Sequence, residues 1–216
     1  LPFATWQMLQ LSLLQVILVY ILISALAYWL FSKNVHAFIV ALLCLAATIC
    51  WRSFNLIKSS GQCKMIVYNI PRHNAIDLVQ GNSCVYVGDG ELKKDVQQYN
   101  FFLRPTRQLY RVNEVASLPK LALLGQGFYF ANKKVLVIDS APAQTGRVTC
   151  TADVVILSGN PDLEITTLLN TISFGELVFD SSNSQWRIDK WKEECRKFHL
   201  RYYSVPEKGA FILNVN

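Results

Sequence analysis

"VVILSGNPDLEI", residues 154–165, changes character at its fifth residue. Val154, Val155, Ile156 and Leu157 form an unbroken apolar run, the pattern of a strand covered on both faces. Ser158-Gly159-Asn160-Pro161 then breaks it with turn chemistry. From Asp162 to Ile172 the apolar residues Leu163, Ile165, Leu168, Leu169 and Ile172 recur at helical spacing. That predicts a helix with Pro161 just inside its start and with Asp162 and Glu164 in its first turn, where the dipole favours negative charge. A buried strand that turns into a helix is the unit of an α/β fold. In such folds the loop leaving the strand's carboxyl end is where catalytic groups collect.

Downstream, residues 175–180 read as a short strand and residues 184–200 as an amphipathic helix with Trp191, Cys195 and Phe198 near one face. Two strands around Pro206-Glu207-Lys208-Gly209 close the chain. Upstream, residues 63–70 read as a strand, residues 71–74 as a turn, and residues 75–89 as a hairpin turning at Gln80 to Ser83. Residues 90–120 are a polar connection with short elements, containing Pro105 and Pro119. Residues 127–139 form a second hairpin, turning at Asn132-Lys133, and a loop with Pro142 and Gly146 leads back to the central strand. Hairpins followed by β-α-β-α-β predict a layered α/β domain with helices on a sheet.

The rest of the chain is of another kind. Residues 1–32 hold no Asp, Glu, Lys or Arg, residues 34–51 hold none either, and all 15 acids lie at or after Asp77. The runs at about residues 9–31 and 35–51 have the length and composition of bilayer spans, which need roughly 20 apolar residues, the second at the short end of that range. Tyr28-Trp29 and Trp51-Arg52 stand at their ends as interfacial residues. Residues 32–34 join them as a tight antiparallel pair, and residues 53–62 are expected to be a linker. A basic leader and a small-residue cleavage site are missing from the first run, so a piece of a longer multi-span protein is the expectation rather than a signal peptide.

Residues 60–216 carry 18 Lys and Arg against 15 acids, a mild excess that permits an anionic partner without requiring one. Six cysteines at 44, 50, 63, 84, 150 and 195 make no C-x-x-C pair, so neither zinc-site nor disulfide-framework spacing is present. They read as small buried hydrophobes, with a disulfide among Cys63, Cys84, Cys150 and Cys195 open if the domain faces an oxidising space.

Two spans followed by "MIVYNIPRHNAIDLVQG", "VLVID", "DVVILSGNP", "VFDSSNSQWRIDKWKEEC" and "PEKGAFILNV" resemble the C-terminal end of the ComEC family of competence proteins. The resemblance implies a membrane α-helical hairpin followed by an α/β metallo-β-lactamase-like domain over residues 63–216. It also implies a multi-pass protein of a bacterial inner membrane, a larger core of spans upstream, and a part in passing single-stranded DNA inward, with other uptake proteins as unidentified partners. Metal-binding members of the family follow the central strand with His-x-His-x-Asp-His. Those four positions here read Gly159, Pro161, Leu163 and Glu164, so only Glu164 has a ligating atom. The three histidines, His36, His73 and His199, lie elsewhere. No metal, no other cofactor and no catalytic residue is therefore expected, because two-metal hydrolysis needs bridging and terminal ligands that this loop lacks.

Asp139, ending "VLVID", reads as a turn-bonding carboxylate. Lys190, Lys192, Arg196 and Lys197 read as a solvated helix face with pairs such as Glu193-Lys197. The arginines of "RPTRQLYR", Arg104, Arg107 and Arg111, stand beside Tyr110 with no acid until Glu114, and are the expected nucleic-acid contact. A non-catalytic guide in DNA uptake, a metal-dependent nuclease acting on incoming DNA, and a structural or docking module all fit at this level. On the side of the membrane two arguments diverge. Arg52, Lys58, Lys64 and Arg72 follow the second span and point the domain to the cytoplasm by charge, whereas the family resemblance implies the periplasm, which is the side expected here.

Overall fold

The computed structural model describes residues 13–124, 127–139 and 150–215, and divides the chain into two compact units. The first is a helical hairpin. Helix α1 spans Leu13–Ser32 and α2 spans Val35–Ser60, both long and apolar enough to cross a membrane. Lys33 takes a left-handed turn (φ 51°), and Asn34 caps α2 by accepting from the His36 amide at 3.0 Å. The hydroxyls of Ser32 and Thr48 donate to carbonyls four residues earlier, so neither needs water in an apolar setting. Helix α2 continues through most of the stretch expected as a linker. Residues 53–60 contain no glycine or proline to stop it, and Gly61 is its C-cap.

The second unit holds two sheets. Strands β1 (Cys63–Val67), β2 (Ala75–Gln80) and β3 (Ser83–Gly88) form an antiparallel meander. After it come the short helices α3 (Gly90–Lys94) and α4 (Val96–Gln98), a π-helical turn at Tyr99–Leu103, and α5 (Arg104–Tyr110). Strand β4 (Asn113–Glu114) joins the edge of β3. Strands β5 (Leu121–Leu124), β6 (Gly127–Phe130) and β7 (Lys133–Ile138) begin the other sheet. The turn between β6 and β7 falls at Ala131-Asn132, one residue earlier than the sequence suggests, and both residues have positive φ, as a two-residue hairpin turn requires.

Strand β8 (Cys150–Leu157), helix α6 (Ile165–Thr171), strand β9 (Ile172–Phe179), helix α7 (Gln185–Lys197) and strand β10 (Tyr202–Ser204) follow. A short helix α8 (Val205–Lys208) leads to β11 (Phe211–Asn214). The orders are β11-β1-β2-β3-β4 and β10-β9-β8-β7-β6-β5, so the last two strands, adjacent in sequence, belong to different sheets. Strands β7, β8, β9 and β10 are mutually parallel.

The central run is covered on both faces, as its composition predicts. Val154 and Ile156 pack between the sheets with Met65, Val67, Ile76, Leu78, Phe128, Phe130 and Val178. Val155 and Leu157 point the other way, onto Leu168 of α6 and Ile188, Trp191 and Cys195 of α7. On the far side of the first sheet the short helices carry Leu92 and Leu103 into burial, and Arg107 reaches Asp77 of β2. The layers are therefore helix, sheet, sheet, helix. Helix α6 starts three residues later than expected because Pro161 and Leu163 are buried in the loop before it. All six cysteines are free, and the loop with Pro142 and Gly146 lies outside the described residues.

Candidate functional site

The parallel strands end along one edge, and the loops there are where a ligand would be met. Asp139 follows β7, Ser158 to Pro161 follow β8, and Asp180 to Ser184 follow β9. Asp180 is wholly buried. Its Oδ1 accepts from the Ser182 amide (3.0 Å), from Asn183 Nδ2 (3.0 Å) and from the Ser182 hydroxyl. The Ser182 oxygen, its proton given to Asp180, accepts in turn from the Gly159 amide at 2.7 Å and lies 3.1 Å from the Ser158 hydroxyl. Oδ2 of Asp180 has no hydrogen-bond partner among the described residues. Burial pushes the Asp180 carboxyl up to about 6, against the lowering effect of its bonds from Ser182.

Asn160 and Asn183 complete the lock. Gly159 and Asn160 are both left-handed (φ 72° and 59°), a conformation glycine adopts freely and asparagine tolerates. So held, Asn160 Oδ1 accepts from the Ser184 amide (2.6 Å) and hydroxyl (2.9 Å), at the residue that caps α7. The Asn160 amide donates to Asn183 Oδ1 at 3.0 Å, and Asn183 Nδ2 donates to the Leu157 carbonyl at 2.7 Å. Beyond the clasp, Trp191 Nε1 donates to the Leu163 carbonyl at 3.0 Å, and Glu194 accepts from the Ile165 amide at 2.7 Å. Side chains of α7 thus satisfy backbone groups of the loop and of the first turn of α6. Replacing Asn160 with alanine removes three side-chain polar contacts and leaves alanine in a left-handed turn. The expected loss is about 2 kcal/mol of domain stability, read by denaturant unfolding; no change would mean that the clasp holds nothing.

The first sheet reaches the same edge. Ser181 Oγ donates to Asn69 Oδ1 at 2.7 Å, and the Arg72 amide donates to the Ser181 carbonyl at 2.9 Å. His73 Nδ1 lies 2.9 Å from Asp89 Oδ2, and the Glu91 amide and His73 together hold the Asp89 carboxyl below its usual range. Gly88 makes this meeting of loops possible, since a β-carbon there would stand 2.3 Å from the Asn74 carbonyl oxygen.

The described residues of this edge do not fit a dinuclear metal centre. Gly159 offers no side chain, Pro161 and Leu163 are buried apolar residues, and exposed Glu164 is the N-cap position of α6. His36 and His199 are exposed at helix ends, and His73 is paired with Asp89. Among the described residues no group of three or more His, Cys, Asp or Glu side chains is placed to hold a metal ion. The hydroxyls, amides and single buried carboxylate tie loops together.

The three arginines do not share one environment. Arg107 is buried, and its guanidinium holds Asp77 with two bonds of 2.7 Å while its third nitrogen donates to Tyr99 (2.8 Å) and Glu114 (2.7 Å). Tyr68 donates to the same carboxylate at 2.8 Å. Burial works against the Arg107 charge, but its bonds with Asp77 and Glu114 hold its pKa above the ordinary value. Burial likewise opposes the Glu114 charge, and bonds from Lys93 and Arg107 hold that carboxyl below its usual range. As an exposed phosphate contact, Arg107 is corrected. Arg104 is half-buried with a bond to Asn100 (3.3 Å), and half-buried Arg111 follows α5 in a left-handed turn (φ 54°).

The signal for this network was in the sequence. "AIDLVQ" puts Asp77 in the middle of an apolar strand, where a carboxylate needs a buried cation. The basic face of α7 is a solvated one, with Lys192 paired to Asp189 (3.3 Å) and Glu207; its i,i+4 pair is Lys190–Glu194 (3.9 Å), not Glu193–Lys197.

The family model of the ComEC C-terminal domain matches residues 65–215. No curated protein and no solved structure matches the chain.

Proposed function

This chain belongs to the ComEC family through that C-terminal domain, and we propose that it is part of an inner-membrane apparatus that takes up DNA in natural transformation. Helices α1 and α2 are two spans of a larger multi-pass core, and the domain after them lies on the periplasmic side, where it helps guide single-stranded DNA toward the channel. The helix–sheet–sheet–helix layering, with its loops gathered at the ends of β7, β8 and β9, supports a metallo-β-lactamase-like ancestry. The observation that carries a non-catalytic role is the clasp. The loop after β8, which holds metal ligands in enzymes of that kind, here offers Gly159, Pro161, Leu163 and Glu164, and its Ser158 and Asn160 bond to the neighbouring loop. The arginine patch is not carried into this reading, because Arg107 is buried.

One set of strains tests the proposal. Removing residues 63–215 from the full-length protein should abolish uptake of labelled DNA, whereas Glu164→Ala should leave it unchanged at equal protein level. Loss of uptake in the Glu164 variant would favour the nuclease. A cysteine introduced at exposed Ser117 should react with an impermeant reagent in intact cells; labelling only after the membrane is opened would place the domain in the cytoplasm.

A further inference from the structure

The connection between β3 and β4 is anchored by a few side chains and bare elsewhere. Leu92 and Leu103 are fully buried, and Arg107 is fixed by its ion pairs. The same segment leaves Val96 66 % exposed and Phe101 74 % exposed, with Phe101 set edge-to-face on Phe102 at 4.9 Å between ring centroids. Exposed Lys94 and half-buried Arg104 flank them in sequence. Asp95, the acid between, uses its carboxylate to cap the amides of Gln97 and Gln98 at 3.0 and 3.1 Å. Large apolar side chains held in water by a rigid support, with cations beside them, have the chemistry of a membrane-interface element.

We propose that residues 94–104 dock on the headgroup layer of an anionic bilayer, Val96 and Phe101 entering the acyl boundary while Lys94 and Arg104 meet lipid phosphates. The chain itself identifies the occupant. Helix α2 ends at Ser60 and β1 begins at Cys63, so once α2 crosses a membrane, its last turns after Arg52 followed by Gly61 and Gln62 tether the domain closely to it. A surface tethered that closely meets headgroups at a high effective concentration, and a weak amphipathic site suffices. Single-stranded DNA also takes aromatic rings with cations, but by stacking bases on flat faces. Val96 offers no such face, whereas acyl chains take Val96 and Phe101 alike. The inference needs only that α2 span the bilayer and is independent of the role in DNA uptake.

The test uses the full chain in vesicles of phosphatidylglycerol and phosphatidylethanolamine, with the photoreactive residue p-benzoylphenylalanine at position 101 or, as a control, at position 186, where Trp186 is 64 % exposed on α7. Irradiation should attach lipid at position 101 in clear excess over position 186, as read by peptide mass. Lys94→Gln with Arg104→Gln should lower that yield by roughly fivefold or more, each cation near an anionic surface being worth about that factor. Equal or absent lipid adducts at the two positions would overturn the proposal. So would an added oligonucleotide that becomes attached at position 101 in place of lipid, which would assign the segment to DNA.

Discussion

Arg107→Ala is expected to lower the stability of the α/β domain by about 3–5 kcal/mol, the range for breaking a buried ion pair by removing one partner. The variant strands the Asp77 carboxylate, which is fully buried and, among the described residues, otherwise bonds through its side chain to the Tyr68 hydroxyl alone. It also removes the bonds that hold Tyr99 and Glu114 to the sheet. Against the 5–15 kcal/mol of an ordinary domain this is a large share. Replacing both partners with apolar residues of similar volume, Asp77→Leu with Arg107→Met, should recover much of it, because no unpaired charge is left inside. Urea unfolding of the parent and the two variants in detergent reads both effects. A loss below about 1 kcal/mol for Arg107→Ala would return that side chain to the surface. Any fall in DNA binding by this variant must be judged against its folded fraction, since Arg107 shapes the domain before it shapes a ligand.

The second large effect is on pH. A carboxyl raised to about 6 when folded is harder to ionise in the domain than in the unfolded chain, so Asp180 makes the fold less stable as pH rises from about 4 to 6. The rise from the ordinary value of 3.8 to about 6 corresponds to about 3 kcal/mol. Asp180→Asn keeps an oxygen for the three donors and removes the charge. Its stability relative to the parent should therefore improve by about 3 kcal/mol between pH 4 and pH 8, whatever the constant offset from placing an amide at the Oδ2 position. A difference independent of pH would mean that the Asp180 carboxyl ionises as readily in the folded domain as in the unfolded chain. Asp89 and Glu114, whose carboxyls are lowered, act oppositely in both proteins, losing stability as pH falls, and cancel from the comparison.

The central strand was legible because four consecutive apolar residues admit one placement, between two layers, and the hairpins because their turn residues are specific. The α2 boundary was misread because Arg52 closes an apolar run without closing a helix; only Gly61 does that. The start of α6 was misread for a related reason. Leu163 fits the helical period, but its carbonyl is taken by Trp191, a partner 28 residues away that no local pattern reveals. The candidate site was half legible. The missing imidazoles can be read directly, whereas the clasp joins side chains more than 20 residues apart. The arginine patch misled because a count of charges in a connection says nothing of which cation a buried acid has captured.

The claim that the domain's site edge is a hydrogen-bonded clasp rather than a metal centre is tested most directly by metal analysis. The full chain, expressed with zinc and manganese supplied and purified without chelator, is assayed for bound metal and for cleavage of single- and double-stranded DNA. The predicted result is metal well below one ion per chain and no cleavage that a chelator suppresses. Stoichiometric metal together with chelator-sensitive cleavage, both lost in Glu164→Ala, would contradict it.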